Sequence, residues 1–316
     1  MKLRCVRAIL FALVLAVAIP AVCQGASPAA AATSDDNDAT TTIIKTVNEV
    51  NLVFTVTDRH GHFIKDLKSD DVKVLDDSKP AVISSFSSQT DLPLRVGLLI
   101  DASSSIRDRF RFEQEAAIAF LNQIVRPGSD EAFVLGFDSV AEITQDFTDD
   151  TGKLARGVRM LRPGGGTALF DAIYEAAKNK LATARAKVPT RRAIILLSDG
   201  EDNQSRVTRE QAIEMAQRAE VIVYAISTNI SGIKTRGDKV LERFAETTGG
   251  RCFFPTKLDD VAQAFSQIQD ELRSQYALAY KPLEFVADGR FHSVAIESSR
   301  KGLRIRSRRG YYAPKP

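Results

Sequence analysis

The sequence predicts an α/β fold: a doubly wound, mostly parallel, Rossmann-like sheet with helices on both faces, joined to a small antiparallel β segment built from the two ends of the chain. Three observations predict it. Two apolar runs, LRVGLLI from Leu94 to Ile100 and AIILLSD ending at Asp199, read as strands buried on both sides. After the first run, short apolar stretches alternate with stretches of helical spacing, the pattern of a parallel sheet with crossover helices. Both flanks instead carry strand-like runs separated by turn residues.

The elements follow in order. Residues 24–42 are rich in Ala, Ser, Thr and Asp with almost no large apolar side chain, so they read as a disordered linker. An N-terminal β segment spans 43–90. In it, Asn51, Val53, Thr55 and Thr57 alternate with Leu52, Phe54 and Val56, and further strands are expected at 72–75 and 82–86. Turns fall at 58–61 and 76–80. The α/β unit spans 91–275. Strands are expected at 95–101, 131–137, 192–198, 221–227 and 252–254, with an edge strand at 140–147 pairing with its predecessor. Helices are expected at 106–125, 151–161, 168–182, 208–219, 239–247 and 258–274; the first places Phe112, Ala116, Ala119, Phe120 and Ile124 near helical spacing. A C-terminal β segment spans 276–316, with strands at 276–280, 291–297 and 303–306 and turns at Asp288–Gly289 and Lys301–Gly302. Neither flank holds enough strands to stand alone. The two are therefore expected to pack together, with the α/β unit inserted between them.

Charge and cysteine content bound the address. The chain has 43 basic and 40 acidic residues. Lys2, Arg4 and Arg7 precede an apolar stretch at 8–21, and the whole of 1–23 reads as a secretory signal peptide, too short for a comfortable membrane span. No acid lies in those residues, so the excess of basic residues belongs to the leader and argues for no nucleic-acid partner. No later run is long enough to cross a bilayer, so the mature chain is expected to have no membrane span and to be periplasmic or secreted. Cys5 and Cys23 go with the leader, which leaves Cys252 alone and without a disulfide; in RCFFP it reads as a buried strand residue, a reactive thiol being the lesser reading. Lipid anchoring through Cys23 is the lesser alternative, because Pro20–Ala21–Val22 ahead of it is a poor lipidation sequence.

Five short oxygen-bearing side chains sit where buried strands stop. Asp101, Ser103 and Ser105 form D-x-S-x-S after the first apolar run, Thr167 follows Gly164–Gly165–Gly166, and Asp199 ends the second run. Ligands of open α/β sheets bind outside the carboxyl ends of the strands. Hard oxygens without His or Cys suit Mg²⁺, with Mn²⁺ or Ca²⁺ as alternatives, rather than zinc. Helix or turn capping explains one such residue, Ser105 before Ile106 for example, but not five together.

This constellation, with GGGT and LLSDG in order on the expected elements, resembles the metal-ion-dependent adhesion site of von Willebrand factor A-type (VWA) domains over roughly residues 94–278. All five positions of that motif match. The resemblance implies that the Ser and Thr hydroxyls bind the ion directly, that the two Asp bind it directly or through water, and that a Glu or Asp of a partner protein supplies the last ligand. It thus implies an exported, metal-dependent module of adhesion or assembly, not an enzyme. The flanks, from VNLVFTVTD to RRGYY, look like those of secreted bacterial proteins termed VWFA-related, described mainly from acidobacteria.

Other readings compete. An Asp after a first strand, a later Thr and a later Asp are also similar to haloacid-dehalogenase-type phosphatases, but those expect an Asp where Ser103 stands, and a phosphate-binding Lys for which only 178–187 offers candidates. A third reading is a scaffold whose metal only stabilises the fold. Asp171 reads as a residue that supports the site from behind the ligands or faces its own helix, and Glu201 and Asp202 as solvated rim charges. His60 and His62 read as surface turn residues without the further ligands that zinc needs. The basic stretch at 300–309 reads as a charged strand face, with binding to anionic envelope polymers as its sharper alternative.

Overall fold

The computed structural model describes residues 49–88, 92–107, 109–183 and 190–315. The expected leader, the linker and the first residues of the expected 43–58 strand lie outside them. Three strands come first: β1 (Val50–Thr57), β2 (Val72–Asp76) and β3 (Lys79–Ser88). The α/β unit follows with β4 (Leu94–Asp101), α1 (Phe110–Ile124), β5 (Glu131–Phe137), β6 (Ala141–Thr148), α2 (Thr151–Met160), α3 (Leu169–Glu175), β7 (Arg191–Ser198), α4 (Arg209–Arg218), β8 (Val221–Ser227), α5 (Arg236–Thr248), β9 (Cys252–Phe253) and α6 (Leu258–Leu272). The chain closes with β10 (Gln275–Lys281), β11 (Phe291–Ser298), β12 (Arg304–Ser307) and β13 (Gly310–Tyr312).

A six-stranded sheet runs β6-β5-β4-β7-β8-β9, parallel throughout except for the edge strand β6, which is antiparallel to β5. Both its faces are buried, which is why its strands read as continuous apolar runs. On β4, Leu94, Val96, Leu98 and Ile100 join a core with α1, α2 and α6. Leu99, one residue out of phase, joins the opposite core with α3, α4 and α5. Gly97 is spaced by that second core: a Cβ there would lie 2.5 Å from the Phe133 ring.

Helix starts differ from expectation. Residues Ser104–Ile106 form a separate 3₁₀ turn, so α1 opens at Phe110, and Ala119 lies on its exposed side. The expected 168–182 helix changes pitch after Glu175 into a wider π turn at Ala176–Leu181. By contrast, α4 begins where a capping box would place it, with the Thr208 hydroxyl accepting from the Gln211 amide.

The flanks form one seven-stranded antiparallel sheet in the order β12-β1-β10-β3-β2-β11-β13. Strands from the two ends interleave: β10 lies between β1 and β3, and β2 pairs with both β3 and β11. Leu52, Phe54 and Val56 of β1 and Tyr276, Leu278 and Tyr280 of β10 fill its core. The chain from Val47 onward clusters as one compact unit, so this sheet and the parallel one are packed together.

Candidate metal centre

The five expected positions lie at the carboxyl edge of the parallel sheet. Asp101 is the last residue of β4 and is fully buried. One of its oxygens accepts from the Ser103 amide at 2.9 Å and the other from the Ser198 hydroxyl at 2.7 Å. The turn after β4 then brings Ser103 Oγ to 2.9 Å from Ser105 Oγ, and Ser105 Oγ donates to Asp199 Oδ2 at 3.2 Å. Asp199 follows β7 and is oriented by the Glu201 amide on its other oxygen, at 3.0 Å.

Thr167 arrives on the glycine loop. That loop is tied to the Asp101 turn by Gly164 N donating to Ala102 O at 2.7 Å and Ser104 N donating to Gly165 O at 3.4 Å. Gly165 has φ +66°, a conformation that suits Gly. Asn203 accepts from the Thr167 amide at 2.9 Å, and the Asn203 and Gln204 amides donate to its carbonyl. These backbone bonds hold Thr167 buried, and among the described residues its hydroxyl makes no hydrogen bond.

The oxygen spacing fits a small hard cation. Six oxygens at about 2.1 Å from Mg²⁺ place neighbouring ligands about 3 Å apart. The Ser103–Ser105 and Ser105–Asp199 separations of 2.9 and 3.2 Å match that spacing. The electrostatics fit as well. Burial pushes the Asp101 carboxyl up to about 6, against the bonds from Ser103 and Ser198, and the Asp199 charge adds to the rise.

Sequence reasoning missed Glu113. It lies on the buried face of α1, and its Oε2 has no hydrogen-bond partner. Burial raises its carboxyl to about 7; Arg109 works against this, while Asp101 and Asp199 add to it. The signal was present, since Glu113 falls in step with the apolar Phe110, Ala117, Phe120 and Leu121. Three carboxylates thus share a region in which Arg109 is the cation that lowers Glu113's pKa. A bound divalent ion would offset that excess of negative charge.

The neighbouring acids have other roles. Asp171 accepts from the Arg206 and Val207 amides at 2.9 and 3.0 Å, which shapes the loop beside the site. Asp202 is not the solvated rim charge expected: it is half-buried and accepts from the Ser205 hydroxyl at 2.5 Å and the Phe170 amide at 3.3 Å. Glu201 is exposed. Of the lysines that the phosphatase reading needs, Lys180 pairs with Asp146 at 2.9 Å, Lys178 sits over the Tyr174 ring, and Lys187 lies outside the described residues. His60 and His62 are exposed, and His62 bonds to Asp58 at 3.0 Å. In the basic stretch Arg300 pairs with Asp66, Arg306 with Glu271 and Arg309 with Glu246. Cys252 lies on β9 as expected but is half-buried rather than buried, and burial pushes its thiol up, which disfavours the thiolate.

Three comparisons bear on identity. The model of the von Willebrand factor type A domain matches residues 96–271. No curated protein matches the chain. Among solved structures, proximal thread matrix protein 1 from the mussel byssus aligns at TM-score 0.51 and 17% identity, covering 63% of this chain and 51% of that one. A structure of the same mussel protein with a zinc-occupied MIDAS motif aligns at TM-score 0.50 and 17% identity, over 63% and 50% of the two chains. The PilB minor pilin from Streptococcus sanguinis aligns at TM-score 0.47 and 15% identity, over 59% and 62%. The chain therefore spans about half the length of the mussel protein, and at these identities the likeness is one of fold. The family match covers more than half of the chain and coincides with the parallel sheet and its helices: the chain belongs to the von Willebrand factor type A domain family.

Proposed function

We propose that this chain is an exported, metal-dependent protein-binding module that serves adhesion or assembly. Asp101, Ser103, Ser105, Thr167 and Asp199 hold a Mg²⁺-type ion, with Mn²⁺ or Ca²⁺ as alternatives. The bound ion supplies a Lewis-acidic position for a Glu or Asp carboxylate of a partner protein. Ser103, Ser105 and Thr167 provide neutral hydroxyls, so only the two Asp carry charge to the cation and its affinity for an anionic ligand is preserved. The observation that carries this reading is the run Ser103–Ser105–Asp199, with oxygens 2.9 and 3.2 Å apart beside the buried Asp101. The zinc-occupied MIDAS of the mussel protein supports occupation of such a motif by a metal in this fold. Export rests on the leader read from the sequence; among the described residues, no helix is long and apolar enough to cross a membrane.

The test is affinity capture from the envelope of the producing cell. The chain should retain a partner in Mg²⁺, release it in chelator and regain it when Mg²⁺ returns, and Asp101→Ala should capture nothing. Capture that persists in chelator would overturn the reading in favour of a metal-independent scaffold. Phosphate release from phosphomonoesters that Asp101→Asn abolishes would overturn it in favour of a hydrolase.

A further inference from the structure

A second set of metal-ligating side chains converges on the seven-stranded sheet. β2 ends in Asp76, and Asp77 and Ser78 follow in a tight turn with φ +46° and +66°. The β2–β11 register sets Val294 opposite Asp76, and Asp77 N donates to Ser293 O at 2.9 Å, which brings His292 of β11 alongside. One ligand atom each from Asp76, Asp77 and His292 lies within 4.8 Å of the other two.

We propose that Asp76, Asp77 and His292 form a second divalent-cation site, distinct from the Asp101 centre, that takes a Zn²⁺-class ion. His292 Nδ1, an Asp77 oxygen and an Asp76 oxygen are its protein ligands, with water completing four-coordination.

The orientation of each group supports this. Asp77 Oδ1 is tied by the Ser293 amide at 2.8 Å and hydroxyl at 3.0 Å, which leaves Oδ2 facing His292 Nδ1 at 2.8 Å. Asp76 Oδ2 accepts from the Tyr280 and Tyr311 hydroxyls at 2.8 and 3.2 Å. The other ring nitrogen, His292 Nε2, lies 3.4 Å from Asp288, and the imidazole stacks on Tyr311. A carboxylate on the far nitrogen is the usual device that fixes a metal-bound imidazole.

Charge supports it independently. Asp76 is 7% exposed, and its side-chain partners are two neutral phenols. Among the described residues no Lys or Arg pairs with it, although a buried carboxylate is costly without a cation. The two other acids both face His292, Asp77 at 2.8 Å and Asp288 at 3.4 Å, and Asp288 also has the exposed Arg290 at 3.8 Å; one imidazole and one exposed guanidinium thus face three carboxylates. Imidazole selects Zn²⁺ over Mg²⁺, which prefers an all-oxygen shell. Tetrahedral bonds of about 2 Å need ligand atoms about 3.3 Å apart; the three atoms lie within 4.8 Å of one another, so the ion would draw them together. On binding, Nδ1 bonds the metal and its proton passes to solvent. The ion would then clasp β2 to β11, and so join the two ends of the chain.

The test is Zn²⁺ titration by calorimetry into the full chain carrying Asp101→Ala, which disables the first centre, with folding checked by circular dichroism. One Zn²⁺ should bind per chain, and His292→Ala or Asp77→Asn added to that background should weaken it by about tenfold or more. Excess Mg²⁺ should not compete, His60→Ala/His62→Ala should leave uptake unchanged, and X-ray absorption should show one nitrogen in an otherwise oxygen shell. No Zn²⁺ uptake by the Asp101→Ala chain, or uptake indifferent to His292→Ala, would overturn the proposal. Should Asp101→Ala fail to fold, the unaltered chain serves: His292→Ala should take up one Zn²⁺ fewer than it, and equal uptake would overturn the site.

Discussion

Glu113 makes the electrostatic balance of the Asp101 centre measurable. Burial raises its carboxyl from 4.5 to about 7, so the folded, metal-free chain favours the neutral form. Its contribution to stability is therefore complete below pH 4.5 and is lost as pH rises through about 7. The loss is about 3 kcal/mol across that window. Glu113→Gln should make the curve shallower: in chelator, urea melts at several pH values should show both chains losing stability up to about pH 6, where Asp101 titrates, and only the unaltered chain continuing to lose it towards pH 7. An identical pH dependence in both would show that Glu113 is not the strained group. At this scale the grouping of the five positions proposed to hold the ion was legible because each is a short oxygen donor at the end of an apolar run or glycine loop. Glu113 was not singled out, because its meaning depends on Asp101 and Asp199, 12 residues before it and 86 after it in the chain.

The elements meet around the site at two glycines. Gly200, just past Asp199, has φ +80°, and a Cβ on it would lie 2.2 Å from the Gly237 carbonyl oxygen. Gly237 is the second residue of α5, and a Cβ there would lie 2.1 Å from the Asp199 carbonyl oxygen. Backbone stands on both sides, so neither loop can yield cheaply. Gly237→Ala should cost about 1–3 kcal/mol by overpacking. By displacing Asp199 it should also reduce the rise in melting temperature that Mg²⁺ produces. Denaturant melts with and without Mg²⁺ check both effects; a variant of normal stability and normal metal response would refute the packing argument. The strands of the parallel sheet were readable because burial on both faces leaves uninterrupted apolar runs. The start of α1 was not, because Ser104–Ile106 forms a separate turn whose first residue is held by Gly165, a contact no local spacing encodes.

Across the whole molecule, the two sheets are joined by a buried polar network. Arg306 of β12 reaches Glu271 of α6 at 2.6 Å, and the Tyr224 hydroxyl of β8 donates to the same carboxylate at 3.0 Å. Gln275 of β10 donates to that hydroxyl at 3.2 Å. Burial raises the Glu271 carboxyl above its usual range, and Arg306 opposes the rise. Arg306→Ala would strand the carboxylate and should cost about 2–3 kcal/mol, discounted for the partial exposure of Arg306. Unfolding followed by near-ultraviolet and far-ultraviolet dichroism should shift together; a shift below 1 kcal/mol, on the order of an exposed pair, would refute the coupling. The sequence showed β-rich flanks that need each other, but not their interleaving, since β1 and β10 pair across more than two hundred residues. Parallel strands announce themselves by burial, whereas the order of antiparallel strands is set by distant partners. The central claim remains the ion at the carboxyl edge of the parallel sheet, and calorimetric titration with Mg²⁺ tests it most directly. One Mg²⁺ should bind per chain, with binding lost in Asp101→Ala and in Thr167→Ala. Binding of equal strength in both variants, or none in the unaltered chain, would contradict it.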